Sequence, residues 1–121
     1  MEIRISSSQT LQQVKDAFHE LLPFMKIEFF KHSHHEGEGS PKSDMIQGDL
    51  LIGDLVHGHE EGTISFDWDT KVFELEEKLN EYFGLNVQIF RKSGNLYLES
   101  TISDEWSLSR VKEEAEEFNE L

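Results

Sequence analysis

Histidine is the residue type whose spacing in this sequence could support chemistry. Five of the six histidines lie between positions 32 and 59, in the patterns His32-x-His34-His35 and His57-x-His59. Residues two positions apart in an extended segment point to the same side, so each pattern can place two imidazole rings together. Neutral imidazole nitrogens are good ligands for zinc, nickel and copper. The two clusters therefore define a candidate transition-metal site with His32, His34, His57 and His59 as its ligands.

The same histidines have two simpler interpretations. A polar surface loop accepts histidine as readily as serine or asparagine, and this interpretation needs no ligand. Imidazole also titrates near neutral pH, so a cluster of histidines could respond to pH. We favour surface histidines and keep metal binding as an alternative function. A divalent transition metal is the one cofactor that the sequence suggests.

Motifs for other chemistry are incomplete or missing. The glycines of residues 37–42 are interrupted by Glu38 and followed by no helix signal, unlike a phosphate-binding loop. His19-Glu20 and His35-Glu36 each lack the second histidine of a zinc-protease motif. No serine lies in a Gly-x-Ser-x-Gly turn, and the absence of cysteine excludes thiolate catalysis, disulfides and iron–sulfur clusters. We expect no enzyme activity.

The charge balance narrows the classes of partner. The chain has 121 residues, with 25 acidic against 11 basic side chains and a formal net charge of −14. Excess negative charge disfavours binding to nucleic acid and to anionic membranes. It would also steer the chain towards a basic partner, so an inhibitor or immunity-type protein is a second alternative function. With no long apolar run and a polar start, we expect a soluble cytoplasmic chain with one domain over residues 1–121.

The elements that must position these residues form an internal repeat. Residues 2–31 and 63–92 each predict a strand, an amphipathic helix and a second strand. Thr10 and Gln13 have the spacing of a capping box, while Pro23 and Gly84 end the two helices at matching places. The matching apolar positions are sixty-one residues apart in the two copies: Ile3, Ile5, Leu11, Val14, Phe18, Leu21 and Leu22 against Ile64, Phe66, Val72, Leu75, Leu79, Tyr82 and Phe83.

Two strand–helix–strand units predict an α+β protein with a ferredoxin-like arrangement, in which both helices cover one face of an antiparallel sheet. An added C-terminal hairpin strand, with Ser93-Gly94 at the turn, precedes a third helix from about residue 107 to 119. Residues 32–44 contain no apolar side chain, so we expect a mobile loop there. The second and third strands are neighbours in this arrangement, which would bring the two histidine clusters together at the base of the loop. The type of structure in residues 45–58 is left open.

The alternation of the strands defines a core and an outer sheet face. Phe30, Phe90 and Tyr97 fall on the outer face, where the third helix with Trp106 and Phe118, a second copy of the chain or another protein could cover them. They are therefore the candidate partner-contact residues, and a homodimer is one possibility. The predicted core consists of Ile3, Ile5, Leu11, Val14, Phe18, Leu21, Ile27, Phe29, Ile64, Phe66, Val72, Leu75, Leu79, Val87, Ile89, Leu96 and Leu98.

The second half of the sequence resembles a family of small uncharacterised bacterial proteins. The likeness rests on Thr70-Lys71-Val72, on the continuous run from Gly84 to Glu99 and on the segment from Asp104 to Leu108. This resemblance implies a bacterial, non-secreted α+β protein. The family has no known activity, so it implies no functional residue. The composition and pattern together favour a small, acidic, non-catalytic module for protein–protein interaction or assembly.

Overall fold

The computed structural model describes residues 1–32, 42–93, 96–99 and 105–119, which form an α+β protein. Two short 3-10 helices lie at Lys42–Asp44 and Ile52–Asp54. The strands are β1 (Glu2–Ser6), β2 (Met25–Phe30), β3 (Glu61–Ser65), β4 (Asn86–Ser93) and β5 (Leu96–Glu99). The helices are α1 (Leu11–Leu21), α2 (Val72–Phe83) and α3 (Leu108–Asn119). The predicted class, hairpin strand and third helix are all present.

The strands form two antiparallel sheets, one with the order β1-β3 and one with the order β2-β4-β5. The ferredoxin-like arrangement is not confirmed, because it would place β3 beside β2. Both sides of β2 are already engaged: β4 pairs along one side, and Met45 forms a bridge with Phe30 on the other. Residues 45–58, left open from the sequence, thus supply a sheet-edge contact and the 3-10 turn at 52–54.

The strand registers relate the two copies of the sequence repeat. Ile3 lies opposite Ile64 in the first sheet, and Glu28 lies opposite Gln88 in the second. Each pair consists of matching positions in the two copies, which are 61 residues apart in the first strands and, after a one-residue slip, 60 apart in the second strands. A local two-fold axis between the two copies would produce this arrangement, because it pairs each residue of one copy with its equivalent in the other. The strands are then antiparallel, and each contact between unlike positions occurs twice.

The same relation extends to the segments that follow each copy. The segment before α1 shares three backbone hydrogen bonds with the region of the 52–54 turn, and the segment before α2 shares three with the start of α3. In the first copy, the donor and acceptor pairs are Leu11 N and Leu50 O, Ile52 N and Gln9 O, and Gly53 N and Ser7 O. In the second, they are Val72 N and Trp106 O, Leu108 N and Thr70 O, and Ser109 N and Trp68 O. The 52–54 turn is therefore the structural counterpart of the start of α3.

The core lies between the sheets and the apolar faces of the three helices. Thr10 and Gln13 form the predicted capping box, which sets the start of α1 and turns its apolar face inward. Gly84 ends α2 in the left-handed conformation, as its position predicted. The buried cluster includes every predicted core residue except Leu21, Leu96 and Leu98, and it adds Leu22, Met25, Ile52, Phe83, Leu85, Leu108 and Val111.

The prediction that Leu96 and Leu98 belong to the core is wrong, and the hairpin register explains why. A turn with Ser93-Gly94 at its tip would place Leu98 opposite Ile89, but Leu98 lies opposite Arg91, two residues further along β4. The pairing of Ser93 with Leu96 leaves residues 94 and 95, which are outside the described part of the chain, between the two strands. This shift keeps each side chain on its predicted face and moves both leucines away from the buried end of β4.

Residues 33–41, the larger part of the expected mobile loop, lie outside the described residues. Its last positions, Lys42–Asp44, form a short 3-10 helix. Within the four described ranges, no helix has both the length and the apolar character needed to cross a membrane.

Candidate functional site

The histidines that the structure describes make contacts within the chain. His32 Nδ1 lies 2.9 Å from Asp44 Oδ2, a hydrogen-bond distance. The ring of His59 stacks on that of Tyr82, with 4.0 Å between the centroids and 8° between the planes. His59 Nδ1 also lies 3.1 Å from the Tyr82 carbonyl oxygen. These contacts give both side chains a structural role at the surface.

His57 lies near the end of β2, where the first histidine cluster begins. It lines a depression of about 210 Å³ together with Phe30 and Lys31. Among the residues with described positions, no group of three or more histidines and carboxylates could hold a metal ion. His34 and His35 lie outside those residues. The metal hypothesis, in which His32 or His34 approaches His57 or His59, stays a prediction.

Gly84 should be more sensitive to substitution than Gly48, which also has a positive φ. A Cβ on Gly84 would lie 2.8 Å from the Cβ of His57, whereas a Cβ on Gly48 would meet nothing within 4 Å. Both positions have a left-handed backbone, which costs an L-residue about 1–2 kcal/mol. We expect Gly84→Ala to lower the free energy of unfolding by more than Gly48→Ala, as measured by urea denaturation. Equal losses would show that the His57 contact does not constrain this site.

The predicted outer-face residues Phe30 and Phe90 are buried by the chain itself. Their exposed fractions are 3% and 9%, so they present no open contact surface. The Lys26 ammonium nitrogen lies 5.2 Å from the centroid of Phe90 and 5.1 Å from that of half-buried Tyr97. Lys26 thus lies over two of the rings for which the third helix, a second copy or another protein was a possible cover. Trp106 lies elsewhere, and the side chain of Phe118 is outside the described part.

A different surface is open, at the edge of the second sheet. The exposed fractions of Leu96 and Leu98 on β5 are 67% and 39%. They share one face of the strand, and Leu98 lies beside Arg91 of β4 on that face. The guanidinium carbons of Arg91 and Arg110 lie 5.4 Å and 4.0 Å from the centroid of Trp106. We call these five residues the β5 surface.

Three elements hold the charged part of the β5 surface in place. Arg91 belongs to β4, whose neighbouring strands fix its backbone. Trp106 packs partly against the core, and buried Leu108 and Val111 anchor the first turns of α3 just after it. Ser107 Oγ accepts a hydrogen bond from the backbone N–H of Arg110 at 3.2 Å. The two guanidinium groups are therefore brought to one tryptophan ring from separate parts of the fold.

Three cations near the exposed leucines have no carboxylate partner among the described residues. Arg91, Lys92 and Arg110 form no ion pair with a carboxylate within the described ranges. Five other basic residues there are paired with carboxylates, namely Arg4, Lys15, Lys26, Lys71 and Lys112, while Lys31, Lys42 and Lys78 form no such ion pair in the described ranges. Arg91 Nε is also buried with no hydrogen-bond partner in that part of the chain. A group of unpaired cations is thus present on a protein with a net charge of −14.

No protein-family model, curated protein or solved structure matches this chain. The resemblance based on Gly84–Glu99 and on residues 104–108 stays a prediction. Function must therefore be argued from the geometry alone.

Sequence reasoning missed the β5 surface although two signals were present. Trp106 and Arg110 are four residues apart at the start of a helix, a spacing that brings side chains together. Leu96 and Leu98 alternate with Tyr97 on the last strand of a hairpin, where an edge position was possible. Both leucines were assigned to the core because a two-residue shift in register leaves the pattern of faces unchanged.

Proposed function

We propose that this chain is a small, acidic, non-catalytic module that binds another protein through the β5 surface. The main support for this proposal is the exposure of Leu96 and Leu98 on an edge strand. Full burial of a leucine side chain contributes about 1.5–3 kcal/mol, so a partner that covers this pair gains substantial free energy. The proposal keeps the expectation of a cytoplasmic bacterial protein.

The composition of the surface also supports a binding role. Tryptophan and arginine are the residue types most enriched among residues that dominate binding energies, and here Trp106 lies against two arginines. An edge strand can also pair its backbone with an extended segment of a partner. Leucine contacts, arginine contacts and backbone pairing are therefore available side by side.

The alternative of an inhibitor for a basic partner gains less support. It rests on the net charge of −14, which also serves ordinary solubility. The surface with exposed leucines is locally basic, so a basic partner would meet like charge there. We therefore do not extend the proposal to that class.

The test uses the full chain and a matched pair of double variants. A partner captured on the immobilised chain is purified, and its affinity is measured by calorimetry. Leu96→Ser with Leu98→Ser is expected to weaken binding by about tenfold or more, because both apolar contacts are lost. Leu50→Ser with Leu51→Ser removes leucines of similar exposure elsewhere, at 42% and 45%, and should leave the affinity unchanged.

Two results would count against the proposal. If no purified protein binds the parent chain, the binding function is wrong. If both double variants bind as the parent does, the partner uses another surface. Circular dichroism of each variant shows whether the fold is retained.

A further inference from the structure

We infer that the partner supplies an extended acidic segment, which pairs with β5 and places carboxylates against Arg91 and Arg110. This inference rests on the proposed function and specifies the chemistry of the partner. It follows from the strand edge, the distribution of cations and the position of Arg110 in its helix.

The backbone of β5 can accept one more strand. β4 is its pairing partner in the second sheet, and the described ranges contain no strand on its other side. The unpaired N–H and C=O groups of an edge strand form a template for an added strand. An extended segment there would place alternate side chains over Leu96 and Leu98.

Cations flank β5 on both faces of the sheet. Arg91 lies opposite Leu98 and shares the leucine face, while Lys92 lies opposite Tyr97 on the other face. Neither cation forms an ion pair within the described part of the chain. Side chains of an added strand that project on the leucine face would therefore meet the positive charge of Arg91. Acidic side chains of the added strand would be attracted by this positive charge, and basic side chains would be repelled.

Trp106 orients the arginines for carboxylate binding. A guanidinium stacked on an aromatic face keeps the N–H groups at its edge available, and these match the two oxygens of a carboxylate. Arg91 and Arg110 both lie close to this ring. The ring therefore holds both groups with less freedom than solvated side chains would have, which lowers the entropy lost on binding.

The position of Arg110 is itself unfavourable without an anion. Arg110 lies in the first turn of α3, which contains no acidic residue. The N-terminal end of a helix dipole is positive, so a cation there is repelled. A carboxylate from a partner would offset this repulsion.

A second copy of the chain fits this surface less well. Two copies that each carry a charge of −14 repel one another as they approach. Pairing two β5 strands would also bring their flanking cations together. A short acidic segment of a different protein carries less negative charge than a second copy and brings no cations of its own to β5.

The test measures binding of short labelled peptides to the full chain by fluorescence anisotropy. The probe alternates glutamate and valine, and its two controls replace every glutamate by glutamine or by lysine. The glutamate peptide is expected to bind about tenfold more tightly than the glutamine peptide, and added salt should reduce this difference. The lysine peptide should not bind at β5, so any attraction of it to the acidic chain should be unchanged in the leucine double variant. Equal affinity for the glutamate and glutamine peptides would overturn the inference.

A charge-reversal pair locates the effect. Arg110→Glu should weaken binding of the glutamate peptide by about tenfold or more, because repulsion replaces attraction. Arg4→Glu reverses an exposed arginine on β1 and should change the affinity by less than about twofold. A glutamate peptide that binds Arg110→Glu as tightly as the parent would also overturn the inference.

Further outcomes separate this inference from the proposed function. If the purified partner loses affinity in the leucine double variant but the peptides show no preference for glutamate, the binding function stands and the acidic segment is wrong. If light scattering shows a dimer that the leucine double variant abolishes, the surface belongs to a second copy, which also overturns the inference.

Discussion

Alanine in place of Phe18 or Leu79 is expected to lower the free energy of unfolding by about 2–5 kcal/mol. These side chains are 1% and 2% exposed and occupy matching positions on α1 and α2. Each truncation removes apolar contacts and leaves a cavity that the packed surroundings fill incompletely. Because small proteins are stable by about 5–15 kcal/mol, the loss is large enough to measure by urea denaturation.

Glu20→Ala is the control for the Phe18 substitution. Glu20 is exposed on the same helix, so its replacement should change stability by less than about 0.5 kcal/mol. If the urea midpoint of Phe18→Ala matches that of the parent, the assignment of the α1 core face is wrong.

The helices and most of the core could be predicted because amphipathic periodicity is a local signal. Leu11, Val14 and Phe18 recur at helical spacing after a capping box, and all three are buried. The short strands also show which side chains share a face. Local patterns of this kind depend on a few neighbouring residues in the sequence, so they can be recognised without knowledge of the tertiary structure.

The neighbours of each strand could not be predicted in the same way. The alternation of Met25, Ile27 and Phe29 is the same whether β3 or β4 lies beside β2. The choice depends on long-range pairing, and the ferredoxin-like arrangement, which would place β3 there, is not confirmed. The hairpin register was equally undetermined, because a shift by two residues moves Leu98 from Ile89 to Arg91 without changing its face.

The candidate site was missed for a related reason. Arg91, Leu98 and Trp106 come from separate elements, and no spacing in the sequence marks them as a group. The histidines, by contrast, were conspicuous in the sequence because they are close together there. His59 instead stacks on Tyr82, a contact that requires the path of the chain between α2 and β3. Proximity in the sequence therefore marks the histidines as a group but does not mark the arginines.

Ile52→Ala is expected to destabilise the protein by about 2–5 kcal/mol, as is Leu108→Ala. Both side chains have an exposed fraction of 0%, although Ile52 belongs to a three-residue 3-10 turn and Leu108 begins a long helix. The backbone of Ile52 bonds to Gln9, and that of Leu108 bonds to Thr70 at the matching place in the second copy. If burial at these places matters more than helix length, the two variants should lose similar stability in urea denaturation.

Leu51→Ala tests whether the stability at this turn comes from the buried side chain or from the local backbone hydrogen bonds. Leu51 directly precedes Ile52 and forms the bridge with Thr10, but its side chain is 45% exposed. Truncation leaves the backbone bridge in place and removes little buried surface, so the loss should be about 0.5 kcal/mol or less. If Leu51→Ala lowers the free energy of unfolding as much as Ile52→Ala does, the burial of the Ile52 side chain is not the source of the stability. If Leu108→Ala lowers the free energy of unfolding and Ile52→Ala does not, then α3 stabilises the protein at this position and the 52–54 turn does not.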